Sequence, residues 1–361
     1  MFESHKLPNG IQSIISNNPN TQAVTILVMF GVGSRYENDK QGGLSHYLEH
    51  LFFKGTKNRP NTAVLARELD GLGASYNAFT GEEYTGYYIE IEKDKLSEAI
   101  EIMADLLQNP LFEVEELKRE KQVIIEEINM YEDLPQRDVV ELAKSSFYGD
   151  TSLGRNIAGT RELVQSFTKD DVVNYKNGHY HSANMRIIVC GNVETRSAKA
   201  QIQKHFGQIK TSGELKFPKA HFVHTKPALK LKFKQTDQAH LVLGLPGVSD
   251  QDPDRVALDL VSVILGGGMS SRLFIEVRER RGLGYYVRNN SEHFHDGGMF
   301  FAHAGVKTNR IEEALETILE EYRKIQNSSV DAEELQKAKN QIKGRLAVEL
   351  EQSQNLAMFY G

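Results

Sequence analysis

Cysteine, membrane-length apolar runs and blocks of like charge are what this 361-residue chain lacks. Its one cysteine, Cys190, has no partner for an internal disulfide, which excludes a disulfide-stapled secreted fold and fits a reducing compartment. Cys190 reads as a small core residue. The longest apolar stretch, residues 23–32, is about half of the ~20 residues that a transmembrane helix needs. The opening residues Met1-Phe2-Glu3-Ser4-His5-Lys6-Leu7-Pro8 lack the basic-then-apolar pattern of a secretory signal. Lys and Arg number 43 against 49 Asp and Glu, a formal charge of -6 without long runs of one sign. Nothing in that balance draws the chain to nucleic-acid phosphates or anionic lipid. The expectation is a cytoplasmic protein with no nucleic-acid and no membrane partner.

What is present is the make-up of a folded chain. Hydrophobic residues at 40% and charged residues at 25% exclude disordered, collagen-like and coiled-coil classes. The length predicts two domains of about 150 residues, each able to bury a core.

Asn9-Gly10 marks a hairpin turn between strand-type segments, followed by a strand over 22–32. Gly42-Gly43 breaks the pattern, and 44–53 has apolar residues three and four apart without a breaker, predicting a short, largely buried helix. A helix over 61–72 ends at Gly73, and 74–79 and 84–92 read as two strands joined by a turn. Helices are expected over 95–108, 114–131, 137–147, 169–177 and 194–206, with a strand over 185–190. The polar, aperiodic stretch from Ile209 predicts a linker, 210–224. After it the order recurs: strands over 229–235 and 239–245, helices over 253–265 and 271–281, a strand over 285–290, and helices over 309–326 and 332–359. Gly282-Leu283-Gly284 echoes Gly71-Leu72-Gly73. The expected fold class is α+β: two homologous domains, 1–209 and 225–361, each a mostly antiparallel sheet with helices packed on it. No closing strand follows the last helices, so the second copy is expected to be truncated at its C-terminus.

His46 and His50 are four apart on a predicted helix, so their imidazoles share a face and can share a tetrahedral metal. Glu49 sits beside them, placed to engage a metal-activated water as a general base must. The order is H-x-x-E-H, the reverse of the H-E-x-x-H of other zinc peptidases with the same helical geometry. A catalytic zinc takes three protein ligands, and the helix over 114–131 offers Glu120, Glu126 and Glu127. Glu120 and Glu127 are seven apart and face alike after two turns, with Val123 and Ile124 between them on the expected buried side. Carboxylates on a core-facing stripe need partners, which a metal or a ligand histidine would supply.

His46-Tyr47-Leu48-Glu49-His50-Leu51-Phe52-Phe53-Lys54-Gly55-Thr56, with Glu120 to Glu127 downstream, resembles the pitrilysin/insulinase family of zinc peptidases, in its two-domain bacterial branch related to mitochondrial processing peptidase. The likeness runs over essentially the whole chain. It implies that His46, His50 and Glu127 bind one Zn2+ per chain, that Glu49 is the general base and that Glu120 supports the site. Glu127 is preferred to Glu126 by the match of the Glu-x-x-Val-Ile-Ile-x-Glu string. Gly73-Ala74-Ser75-Tyr76-Asn77-Ala78-Phe79-Thr80 is similar to the family's substrate-binding edge strand, so Ala74, Ser75, Tyr76, Asn77, Ala78 and Phe79 are implied to pair with an extended peptide. Residues 265–274 and 278–285 resemble the segment carrying the family's Arg and Tyr pair, matched here by Arg278 and Tyr285, which would hold the substrate carbonyl and its oxyanion.

The resemblance implies a zinc endopeptidase hydrolysing short unfolded peptides inside a closed chamber, with a homodimer as the expected assembly. A catalytically silent relative, acting as a scaffold or processing-complex subunit, is the main rival, and the intact His46, Glu49, His50 and Glu127 argue against it. S-ribosylhomocysteine lyase shares H-x-x-E-H but is a much shorter single domain with a cysteine ligand, whereas Cys190 lies far along this chain. Gly266-Gly267-Gly268 reads as a flexible helix cap. The pairs His179/His181 and His293/His295 are assigned no function.

Overall fold

The computed structural model describes residues 2–211, 216–220, 222 and 224–361. Most of the expected linker is described, while its positions 212–215, 221 and 223 lie outside the described residues. In chain order the first elements are the strands β1 (Phe2–Lys6), β2 (Gln12–Asn17) and β3 (Ala23–Phe30), then α1 (Leu44–Leu51) and α2 (Thr62–Gly71). Next come β4 (Ser75–Thr80), β5 (Thr85–Glu92), α3 (Leu96–Gln108), α4 (Val114–Asp133), α5 (Pro135–Tyr148), α6 (Arg161–Ser166) and α7 (Lys169–His179). They are followed by β6 (Met185–Gly191), α8 (Thr195–Phe206), β7 (Gln238–Gly247), α9 (Arg255–Gly266) and a π-helical segment, Phe274–Arg280. The last elements are β8 (Gly284–Phe294), β9 (Gly297–Lys307), α10 (Ile311–Asn327), α11 (Ala332–Glu349) and α12 (Ser353–Tyr360).

These elements form two compact units, one of Met1–Ile128, Arg155–Pro218 and Ala347–Gly361, the other of Asn129–Gly154 and Lys219–Leu346. The division differs from the contiguous halves expected from the sequence, because α5 joins the second unit and α12 the first.

In the first unit the strand order is β1-β2-β6-β3-β5-β4, with β2 and β6 parallel and every other pair antiparallel. The apolar run that begins at Ala23 does not alternate because β3 is covered on both faces. Val24, Ile26, Val28 and Phe30 join Leu48, Leu51, Ile100 and Met103 in the main core. Leu27 packs on the opposite face with Ile188, Cys190 and Ala357. Cys190 is thus the core residue expected, with its thiol pushed up to about 12 by burial. The helix α12 is tied down by Ser353, whose hydroxyl is 2.8 Å from Thr25 Oγ1 and donates to Glu90 Oε1 at 2.8 Å. Among the described residues β4 pairs with β5 alone, which leaves its other edge open.

The second unit holds a three-stranded antiparallel sheet, β7-β9-β8. Leu265, Val287, Ile318 and Tyr322 belong to the core on one side of it, and Tyr148 from α5 meets Phe294, Met299 and Phe301 in another. The sequence reading had no strand at β9, whose Ala302, Ala304 and Gly305 carry little strand signal. Its single helix over 332–359 is two helices, α11 and α12, packed in different units.

The strand expected over 229–235 does not form. Lys230 and Lys232 reach Ser145 Oγ and Asp138 Oδ1 at 2.8 Å, and Lys234 donates to the Glu132 carbonyl. Leu229, Leu231 and Phe233 point the other way, 83%, 82% and 96% exposed. Alternation is therefore present without a ladder partner. Gly267 caps α9 as expected, its N–H donating to the Val263 carbonyl, and Gly266, the last residue of the helix, is required for a second reason: a Cβ there would stand 1.9 Å from Asn289 N on β8. No helix among the described residues is long and apolar enough to cross a membrane.

Candidate metal centre

Leu44, Tyr47, Leu48 and Leu51 turn one side of α1 into the core of the first unit, which sends His46, Glu49 and His50 to the other side. The helix packs against β4. On α4, Leu117, Ile124 and Ile128 are buried, Glu120 is buried with them, and Glu127 is half-buried two turns on. Val123, expected inside, is exposed, so Ile124 alone of that pair lines the core.

The two helices converge on one point. His46 Nε2 and His50 Nε2 lie 3.6 and 3.5 Å from the same oxygen, Glu127 Oε2, and the rings are 4.6 Å apart at 66°. One donor atom from each of His46, His50 and Glu127 fits within a 4.8 Å span, the only such His, Cys, Asp and Glu group among the described residues. Two imidazoles and a carboxylate in that space form a donor set suited to a three-ligand zinc site with an open position. On chemistry and geometry, these residues fit a divalent metal.

Their supports differ. Glu120 Oε1 stands 2.8 Å from His50 Nδ1 and Glu120 Oε2 is 2.7 Å from Lys54 Nζ. Burial raises the Glu120 carboxyl, but the His50 and Lys54 contacts outweigh it and hold it below the usual range. Burial lowers His50, and the Glu120 bond with the charges of Glu49, Glu120 and Glu127 more than reverses it, leaving the imidazole above its ordinary value. His46 is pushed down to about 4 by burial and by His50. Its Nδ1 is buried without a hydrogen-bond partner among the described residues. Glu49 is raised, chiefly by burial, and its Oε2 accepts a 2.5 Å bond from Thr80 Oγ1 at the end of β4.

The expected peptide-pairing residues fall on and beside that strand. Ser75, Tyr76, Asn77, Ala78 and Phe79 are in β4, and Ala74 precedes it with its N–H on the Leu69 carbonyl. Tyr76 and Ala78 pack on the core while Ser75 and Asn77 are exposed. Arg278 and Tyr285 belong to the second unit. The Arg278 guanidinium lies 5.2 Å from the centre of the Tyr285 ring and 4.7 Å from that of Phe274, and Tyr285 is 71% exposed. Of the other histidine pairs, His179 Nδ1 is 2.9 Å from the Tyr175 carbonyl and His293 Nε2 is 2.9 Å from Asp259 Oδ1, while both ring nitrogens of His181 are buried without a hydrogen-bond partner among the described residues.

Residues 13–161 match the insulinase family, peptidase family M16, and residues 166–342 match the peptidase M16 inactive domain. An uncharacterized zinc protease of Bacillus subtilis, YmxG, is 36% identical over 351 residues, covering 97% of this chain and 85% of the relative. The chain belongs to the insulinase family, peptidase family M16. Another relative, an uncharacterized zinc protease of Rickettsia felis, is 34% identical over 346 residues, 96% of this chain and 83% of its own. Among solved structures, a protease from Helicobacter pylori superposes with a TM-score of 0.91 at 26% identity, covering 100% of this chain and 88% of that one. The fold is that of M16 proteins, a mixed helix-and-sheet architecture in two domains, as the sequence led one to expect.

Thr80 and Lys54 are contacts of this M16 site that sequence reasoning did not single out. Both lie inside strings that carry the family resemblance, and their distance from their partners along the chain hid the pairing.

Proposed function

We propose that this M16 protein is a zinc-dependent endopeptidase. The observation that carries the reading is the convergence of His46 Nε2, His50 Nε2 and Glu127 on one point beside Glu49. His46, His50 and Glu127 would hold one Zn2+ per chain, in line with the names of the zinc protease relatives. When bound, zinc supplies a Lewis acid that polarises a carbonyl and acidifies water.

The chain's own residues supply the rest. Glu49 takes the proton of the attacking water; its Oε2 is engaged by Thr80, so Oε1 is the oxygen assigned to that proton. Glu120 accepts a hydrogen bond from His50 Nδ1–H, which fixes the tautomer that leaves Nε2 free to ligate a metal. The open edge of β4 pairs main chain to main chain with an extended peptide, gripping many sequences without selecting side chains. Arg278 and Tyr285 are assigned to the carbonyl oxygen as it becomes an oxyanion. The reading extends to short unfolded peptides as substrates, a homodimer enclosing a chamber, and the cytoplasm as the site of action, which the lone buried Cys190 suits.

The test is cleavage of an unstructured peptide of about 20 residues, longer than one strand site needs, by the wild type and by Glu49→Gln, each with its zinc quantified. Cutting by the wild type alone, with zinc kept in both, supports the reading. Zinc without cutting in the wild type supports a silent scaffold subunit instead.

A further inference from the structure

The helix that carries H-x-x-E-H has no cap of its own. Gly43 at its N-cap has φ of 97° and no side chain to offer, yet the first-turn N–H groups of a buried helix need acceptors. Glu37 supplies them from a distance. Its Oε2 accepts from Gly43 N at 2.9 Å and its Oε1 from Ser45 N at 2.6 Å, so one carboxylate holds the residue before the helix and the residue before His46.

Glu37 is itself fixed and only 4% exposed. Arg155 Nη1 donates to its backbone carbonyl, and Arg155 Nη2 lies 3.2 Å from Asp39. Ser45 Oγ is 2.6 Å from Tyr175 OH, which steadies the same turn from α7. On the other side a Cβ at Gly43 would come within 2.6 Å of the Ala158 carbonyl, so the start of α1 has little room to shift.

Burial raises the Glu37 carboxyl to about 7, against the pull of the Ser45 and Gly43 N–H groups and of Arg155. A carboxylate raised in this way does not favour folding at neutral pH.

We propose that Glu37 is a positioning residue of the metal site: through the Gly43 and Ser45 amides it sets the axial place and rotation of α1, and so the aim of His46, Glu49 and His50 toward Glu127. This rests on the metal-site reading above. Catalytic geometry is sensitive to displacements of about 1 Å, and a helix this short is steered by its ends.

The experiment uses the full chain as wild type, Glu37→Gln and Glu37→Asp, with Co2+ as the probe. The isosteric amide offers one acceptor oxygen where the carboxylate offers two, and Asp is too short to reach both amides. Expected for either variant are amide exchange at Gly43 and Ser45 about tenfold faster in the metal-free protein, Co2+ affinity lowered about tenfold, at the lower end of what losing a ligand support costs, and a changed Co2+ visible spectrum. Peptidase kcat should fall more than KM changes. The metal-free melting temperature of Glu37→Gln at pH 8 should be equal or higher. A lower melting temperature with unchanged Co2+ affinity and spectrum overturns the proposal by making Glu37 merely structural. Should Glu37→Gln fail to fold, Glu37→Asp is read by the same criteria. If the wild type binds no Co2+, the metal-site reading falls and this proposal with it, whereas normal binding in both variants overturns this proposal alone.

Discussion

Glu120 Oε1 lies 2.8 Å from His50 Nδ1, while the corresponding atom of His46 is buried without a partner among the described residues. The two imidazoles that meet at Glu127 are therefore not equivalent. His50 is held in one orientation by a carboxylate that Lys54 in turn holds, whereas the Nδ1 side of His46 has no such hold, and its ring meets Glu127 and His50 through the polar and ring contacts it makes among the described residues.

That asymmetry fixes how metal binding responds to acid. A metal displaces the proton of a ligand histidine, and His46, pushed down to about 4, is already neutral at ordinary pH. His50 is the group that competes. Burial lowers it, but Glu120, Glu49 and Glu127 hold it above the ordinary 6.5, so zinc affinity should begin to fall as pH drops from above 6.5. Glu120→Gln removes part of that hold and should move the onset to lower pH, while weakening affinity at pH 8 by about 10- to 100-fold. Zinc competition with a chelator across pH measures both, and an unmoved onset would contradict the assignment.

Thr80 should matter to the rate and not to the metal. It donates to Glu49 Oε2 and pulls down a carboxyl that burial raises. Thr80→Val removes the donor at nearly constant volume, so the acid limb of the rate should shift to higher pH and kcat fall by about tenfold, less than the ~100- to 10,000-fold that a general base itself contributes. Thr80→Ser should restore most of it. Loss of zinc from the valine variant would point to a structural role instead.

Legibility in the sequence followed the reach of each interaction. His46, Glu49 and His50 sit within one and a half turns of one helix, so spacing alone set them on a face. The Glu120 and Glu127 pair was visible for the same reason, two turns apart on α4. Thr80 with Glu49, Lys54 with Glu120 and Glu37 with Ser45 were not, because each joins separate elements or a loop to a helix, and no local periodicity records such contacts. The unbroken apolar run of β3 was legible only as a strand, and nothing nearby named α12, more than 300 residues on, as the cover of its second face. Residues 229–235 misled for the converse reason: alternation predicts a strand, yet the lysines satisfy their charges on 132–145 and the apolar residues have no ladder beside them.

The covering of β3 by α12 carries its own stability prediction. Leu27 is fully buried against Ile188, Cys190 and Ala357, so Leu27→Ala should cost about 2–5 kcal/mol. Leu231→Ser, at a site 82% exposed, should stay within about 0.5 kcal/mol. Urea denaturation of both variants tests the contrast, and equal effects would mean that the two sites are not packed as described.

Glu37 gives a second pH dependence, of opposite sign to the usual carboxylate. Its folded value is raised from 4.5 to about 7, chiefly by burial. Between those values the folded chain keeps a proton that the unfolded chain releases, so this group makes stability fall as pH rises from about 4.5 to about 7 and adds a constant penalty above that. The groups facing it do not cancel the effect. The Tyr175 and Tyr180 phenols, both raised by burial, remain neutral. Glutamine at this position does not titrate. The stability of metal-free wild type relative to Glu37→Gln should therefore decline across that window, with a limiting slope of about 1.4 kcal/mol per pH unit for one proton. Urea melts of the two proteins at pH 5, 6, 7 and 8 measure the difference. A gap that does not change with pH would mean that Glu37 is ionised in the folded chain throughout, held by the Gly43 and Ser45 amides more firmly than its burial opposes.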